Sequence, residues 1–84
     1  MITIKYDKGA LLHAYQKHHL NKSRIASAIN KGIRNIAEDP KNNSFIIFTT
    51  SMIAVAVDHQ FRLKTAFQYK DNYYNNKIKL GKIL

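Results

Sequence analysis

The 84-residue chain has no cysteine, no tryptophan, one proline, three glycines and only five acidic residues. Without cysteine it can have no disulfide, no thiolate nucleophile and no cysteine-ligated zinc. Gly9, Gly32 and Gly81 stand apart, so no glycine-rich phosphate loop can form, and neither ATP nor NAD is expected as a cofactor. Asp7, Glu38, Asp39, Asp58 and Asp71 are scattered singly or sit at an expected helix end. A two-metal nuclease needs clustered carboxylates and a glycosidase a facing pair, and this supply disfavours both. His13, His18 and His19 lack the His-x-x-x-His spacing of a helical metal site, so no metal and no cofactor are expected. No stretch approaches the ~18 apolar residues of a membrane span. The opening Met-Ile-Thr-Ile-Lys-Tyr also lacks the shape of a signal peptide, so a chain in the cytoplasm with no membrane partner is expected.

What the chain does have is positive charge. Fourteen Lys and Arg against five Asp and Glu give a formal net charge of +9. Such self-repulsion is usually balanced by a polyanion, because each cation that neutralises a phosphate releases condensed counterions. With 45% hydrophobic residues, five tyrosines and four phenylalanines the chain can bury a core, and its length suits one domain over residues 1–84.

The local patterns predict an α+β fold. Ile2, Ile4 and Tyr6 alternate with polar residues as a short strand or extended arm. From about Lys8 to Leu20, the spacing of Leu11, Leu12, Tyr15, His19 and Leu20 predicts a helix capped by Asp7. Asn21 or Ser23 can cap a second helix whose Ile25, Ile29, Ile33 and Ile36 fall on one stripe, with Arg24, Lys31 and Arg34 opposite and Glu38-Asp39-Pro40 as its end. Three strands follow at Phe45–Thr50, Met52–Val57 and Phe61–Tyr69, the last two joined by a tight Asp58-His59-Gln60 hairpin. Asn72 to Asn76 reads as a polar loop before a final strand carrying Ile78 and Leu80. The expected architecture is two N-terminal helices packed on a small antiparallel sheet of about four strands.

The residues left for chemistry are His, Lys, Arg, Thr and Tyr, a set suited to RNA. RNA carries its own nucleophile: the 2′-hydroxyl beside a scissile phosphate needs a base, donors for the developing phosphorane charge, and an acid for the leaving 5′-oxygen. Histidine and lysine can fill these roles. Lys17 and His18 stand together at the end of the first helix, beside the Lys22 and Arg24 junction. His19, by its place on the apolar stripe, reads as a packing residue. In the third run, Phe61, Leu63, Thr65, Phe67 and Tyr69 share one face and Arg62, Lys64, Ala66 and Gln68 the other. Thr65 is the odd residue in an apolar row; it can be a plain strand former or can turn its hydroxyl to a phosphate. Phe67 or Tyr69 can stack a base.

A Lys-His pair on an early helix, a second amphipathic helix, and then the run from Phe48 to Phe67 resemble the nuclease domain of colicin D. They also resemble the wider group of barnase-like, EndoU-like and RelE-like ribonuclease toxins, over residues 12–84. The resemblance implies helices on a small antiparallel sheet and metal-free cleavage of RNA, frequently in the tRNA anticodon loop. It places a general base or acid at His18, a phosphate-holding lysine at Lys17, and the hydroxyl and aromatic positions at Thr65 and Phe67. The chain departs from colicin D in having Tyr15 near the Lys-His pair where that motif has a further lysine. It also has threonine and phenylalanine where colicin D has serine and tryptophan.

Two main readings follow. In the first the protein is an endoribonuclease toxin, with catalytic His18, Lys17 and Thr65, RNA-binding Lys64, Phe67, Tyr69, Arg24 and Lys22, tRNA as the expected RNA, and an acidic immunity protein or antitoxin as a second partner. In the second the same basic face and aromatics hold RNA or DNA without cutting it. An inhibitor that occupies another protein's nucleic-acid groove would favour an acidic surface, the opposite of this one.

Overall fold

The computed structural model describes residues 3–81. Asp7 accepts the Ala10 amide at 3.0 Å and starts helix α1 (Lys8–His18). His19, at φ 58°, ends it in the left-handed region, and the turn carries Leu20 into full burial. Asn21 accepts the Arg24 amide at 2.9 Å and starts α2 (Lys22–Lys31). Gly32 stops α2 at φ 152°, a conformation open to glycine, and its carbonyl accepts the Thr50 amide at 3.0 Å. The chain continues through β1 (Ile33–Asp39), a single 3₁₀ turn at Pro40–Asn42, β2 (Ser44–Thr49), β3 (Ile53–Val57), β4 (Leu63–Gln68) and α3 (Asp71–Gly81).

The four strands form one antiparallel sheet in chain order, β1-β2-β3-β4. Helices α1 and α2 cover one face over Ile36, Ile47, Ile53, Val55, Val57 and Leu63, with Ala14, Leu20, Ile25 and Ala28 inserted from the helical side. Helix α3 covers part of the other face, where Tyr73, Tyr74 and Ile78 pack on Ala37, Ile46, Phe48, Ala54 and Tyr69. Phe48, Leu20, Ile25 and Ile47 are fully buried, each contributing about 1.5–3 kcal/mol by removal from water. The N-terminal arm pairs beside β4 through a parallel bridge between Lys5 and Arg62.

Two bulges decide which side chains reach which face. In β1 the pairing steps from Ile33–Thr49 to Asn35–Phe48, leaving Arg34 as the extra residue. In β4 it steps from Leu63–Val57 to Thr65–Ala56, leaving Lys64 as the extra one. An extra residue reverses the in–out alternation beyond it. Ile33 and Ile36 therefore share the α1–α2 face three residues apart, as do Leu63 and Ala66.

The α+β class stands, with corrections to its parts. The second helix ends at Lys31, so Ile33 and Ile36 belong to β1; their three-residue interval is a strand with a bulge, and it imitates a helical stripe. The segment expected as a polar loop and final strand is helix α3, so the helices are not all N-terminal. The inner side of α1 is Ala10, Leu11, Ala14 and His18, while Leu12 and Tyr15 are 56% and 57% exposed and His19 is an exposed end residue. Leu63 does not share a face with Thr65, and Ala66 is buried in the main core. The Asp58–Gln60 turn is as expected: the Asp58 carboxylate accepts the Gln60 and Arg62 amides at 2.8 and 2.9 Å. Of the expected arm, Ile4 is buried, and Ile2 lies outside the described residues.

Candidate functional site

Helix α3 packs on β1, and the β3–β4 side of the same face stays open as a groove of about 220 Å³. Small side chains, Ser44 and Ala56, give the groove depth between Ile46, Phe67 and Tyr73. Closed pockets for drug-sized ligands run from about 300 to 1,000 Å³. This groove suits one group of an extended ligand better than a whole cofactor.

Thr65 lines the groove because the Lys64 bulge turns it away from the helical core. Its Oγ1 is buried and, among the described residues, is the one buried side-chain nitrogen or oxygen without a hydrogen-bond partner. A buried hydroxyl left in that state costs about 1–3 kcal/mol. Thr49, fully buried, shows the ordinary solution: its hydroxyl donates to the Ile53 carbonyl at 2.8 Å.

Lys64 is exposed at the bulge, and its Nζ donates to the Asn42 carbonyl at 2.7 Å, so it leans over the groove toward the 3₁₀ turn. That carbonyl also accepts the Ser44 hydroxyl at 3.3 Å. Asn42 Nδ2 donates to Asp39 at 2.8 Å, and Lys77 Nζ reaches the same carboxylate oxygen at 3.5 Å. The Asp39 carboxylate is thereby held at the back of the groove by two donors, of which Lys77 is the cation. Burial, with the Asp39 charge adding to it, raises the Tyr73 hydroxyl above the ordinary tyrosine value, so Tyr73 stays neutral.

Phe67 forms the aromatic wall. Its ring centroid lies 5.4 Å from that of Tyr73 on one side and 5.9 Å from that of His18 on the other. His18 comes to this position because α1 packs along β4 and places its last turn beside Phe67. The His13 ring lies 6.2 Å from that of His18. Among the described residues, no three His, Asp or Glu side chains converge in space.

Lys64, Thr65 and Phe67 thus line the groove together, and His18 adjoins them through its contact with Phe67. Lys17 is exposed on the last turn of α1 next to His18. Lys22 and Arg24 sit outside the groove: Lys22 Nζ is 5.0 Å from the Tyr6 ring centre, and Arg24 donates to the His19 carbonyl at 3.3 Å. Tyr69 is 4% exposed, its hydroxyl donates to the Thr49 carbonyl at 2.6 Å, and its ring meets the edge of Phe48 at 4.9 Å. It belongs to the core and offers no face to a base. Sequence reasoning missed Asp39, Asn42, Tyr73 and Lys77. The interval from Tyr73 to Lys77 was a usable signal for one helix side, masked by the asparagines around it.

Comparison with protein-family models, curated proteins and solved structures finds no match to this chain.

Proposed function

We propose that the protein is an endoribonuclease of the toxin type that cuts RNA without a metal, using the groove beside β4. The observation that carries this reading is the buried, unpartnered Thr65 hydroxyl in a groove it shares with the Lys64 cation and Phe67, with His18 packed against Phe67. A hydroxyl and an ammonium suit a phosphate. A half-buried imidazole is the natural proton carrier, and Phe67 supplies a stacking face.

In this mechanism the scissile phosphate sits between Thr65 and Lys64. His18 takes the proton of the adjacent 2′-hydroxyl, and the 2′-oxygen attacks phosphorus. The bond to the 5′-oxygen breaks, and that oxygen takes a proton from water or from His13. The products are a 2′,3′-cyclic phosphate and a 5′-hydroxyl. Lys64 and Lys17 stabilise the charge that develops on the phosphorane oxygens. The expected RNA is tRNA, reached in the cytosol. A cell making such an enzyme needs an acidic immunity protein, whose approach the +9 charge would speed.

The test is incubation of the purified protein with total tRNA in EDTA, beside His18→Ala, with analysis of fragment ends. Discrete fragments carrying 2′,3′-cyclic phosphate, absent with His18→Ala, are expected. RNA bound by both folded proteins and left intact across a panel of RNAs would instead make the protein a basic RNA-binding module.

A further inference from the structure

A second concave region lies at the opposite end of β4. The outer side of α2 and the β2–β3 turn form a cleft of about 330 Å³ lined by Ser23, Arg24, Ser27, Lys31 and Ser51. It shares Arg24 and Ser51 with an adjoining cleft of about 470 Å³ that reaches Gln68 and Lys70. Arg24, Ser27 and Lys31 recur at three- and four-residue intervals, so one side of the helix presents all three. The turn opposite is held by Met52 at φ 62° and by the Tyr69 amide, which donates to the Met52 carbonyl at 3.0 Å.

No acidic side chain lines either cleft. All five acidic residues are engaged elsewhere: Asp7 caps α1, Glu38 faces His59, Asp39 pairs with Lys77, Asp58 with Arg62 and Asp71 with Arg34. Three cations and three serine hydroxyls remain, which is a donor set for phosphate oxygens and contains no group that would repel them. Lys70 lies five residues on from Thr65, two past the end of β4, so the two are at most about 17 Å apart along the chain at ~3.3 Å per residue, a distance that a few nucleotides of extended strand can cover.

We infer that these two adjoining clefts form a second phosphate-binding site, taking backbone phosphates of the RNA strand as it runs on from the groove. The inference rests on the RNA reading of the groove. It adds that affinity for long RNA depends on α2 and the β2–β3 turn, and that RNA confined to the groove does not sense them. Arg24 and Lys31 line the first part of the site, and Arg24 and Lys70 the adjoining part.

The experiment is fluorescence anisotropy with a labelled RNA trinucleotide and a labelled RNA dodecanucleotide over a range of salt, for the wild type, Arg24→Gln/Lys31→Gln and Lys70→Gln. All three substituted side chains are exposed, and an unchanged Tm checks the fold of each variant. For the dodecanucleotide, the slope of log K against log salt should fall by about 1.4 in the double variant, two contacts at ~0.7 each on a single strand, and by about half that in Lys70→Gln. The trinucleotide slope should stay where it is in the wild type.

An unchanged dodecanucleotide slope, or an equal drop for both lengths, would overturn the inference. Displacement of the dodecanucleotide by inorganic phosphate, but not by chloride at equal ionic strength, would assign the cleft to free phosphate. A loss of binding to phosphatidylglycerol vesicles without a loss for RNA would assign it to a membrane. Either result also overturns the inference. If the wild type binds the dodecanucleotide through the cleft but cuts no RNA, the cleft stands and the catalytic reading falls; if it binds neither RNA, both fall.

Discussion

His18 and Phe67 hold their rings 5.9 Å apart although His18 belongs to a helix on one face of the sheet and Phe67 points to the other. The contact exists because α1 runs along the edge strand β4, which brings its last turn beside Phe67. Phe67 is the surface against which His18 rests, and in the proposed function it is also the face for a base. Phe67→Ala should weaken RNA binding by about 1–3 kcal/mol, the value of one stacked base. It should also lower kcat, since His18 loses its support. Phe67→Trp should retain both. Binding and single-turnover cleavage measured on the two variants check this.

Thr65→Val should separate stability from activity. Valine keeps the shape and the strand preference of threonine and removes a buried hydroxyl that has no partner. The variant should be as stable as the parent or more stable, by up to about 1–3 kcal/mol, while RNA cleavage falls. Urea melts and cleavage rates on the same preparation read both quantities. A large loss of stability would mean that the hydroxyl is satisfied within the fold.

Much of the architecture is legible in the sequence: the Asp7 cap, Asn21 as one of two candidates for the second cap, the runs of β2, β3 and β4, and the Asp58 turn. Two of the errors, in β1 and β4, share one physical cause. An extra residue at Arg34 puts Ile33 and Ile36 on one face three residues apart, an interval that sequence reading assigns to a helix. The extra residue at Lys64 likewise breaks the row from Phe61 to Tyr69. A bulge has no consistent side-chain signature, so alternation read across it goes to the wrong face. In α3, Asn72, Asn75 and Asn76 favour loops, and packing of Tyr73, Tyr74 and Ile78 on the sheet overrides that preference. His18, Thr65 and Phe67 could be named from type and order. The groove's other wall could not, because it depends on where α3 lies.

Gly32→Ala should cost more than the ordinary propensity difference between the two residues. At φ 152° a side chain is strained, and an added Cβ would meet Thr50 Oγ1 at 3.2 Å. A loss of about 1 kcal/mol or more is expected, because strain replaces the usual gain from restricting the unfolded chain. A denaturant melt measures it. Unchanged or increased stability would contradict the conformation assigned to the junction of α2 and β1.

Asp58 gives a pH dependence of defined sign. The Arg62 amide, helped by that of Gln60, holds its carboxyl below the ordinary carboxylate range. A folded-state value lower than the unfolded one adds stability that is fully present above the unfolded value and is lost as pH falls through the folded one. The contribution should thus be constant at neutral pH and disappear in acid. Asp58→Asn should flatten that part of the acid limb, as read from the urea midpoint against pH. An undiminished acid limb in the variant would assign it to other carboxylates.

The most direct test of the account replaces the RNA's own nucleophile. Once a cleavage site in tRNA is mapped, a synthetic stem-loop is made with a single 2′-deoxy nucleotide on the 5′ side of that bond and compared with the all-ribose parent in EDTA. Both should bind with similar affinity, and only the parent should be cut. Cleavage of the deoxy substrate at the same bond and a comparable rate would contradict it, because a nucleophile other than the 2′-hydroxyl would then be acting in the groove.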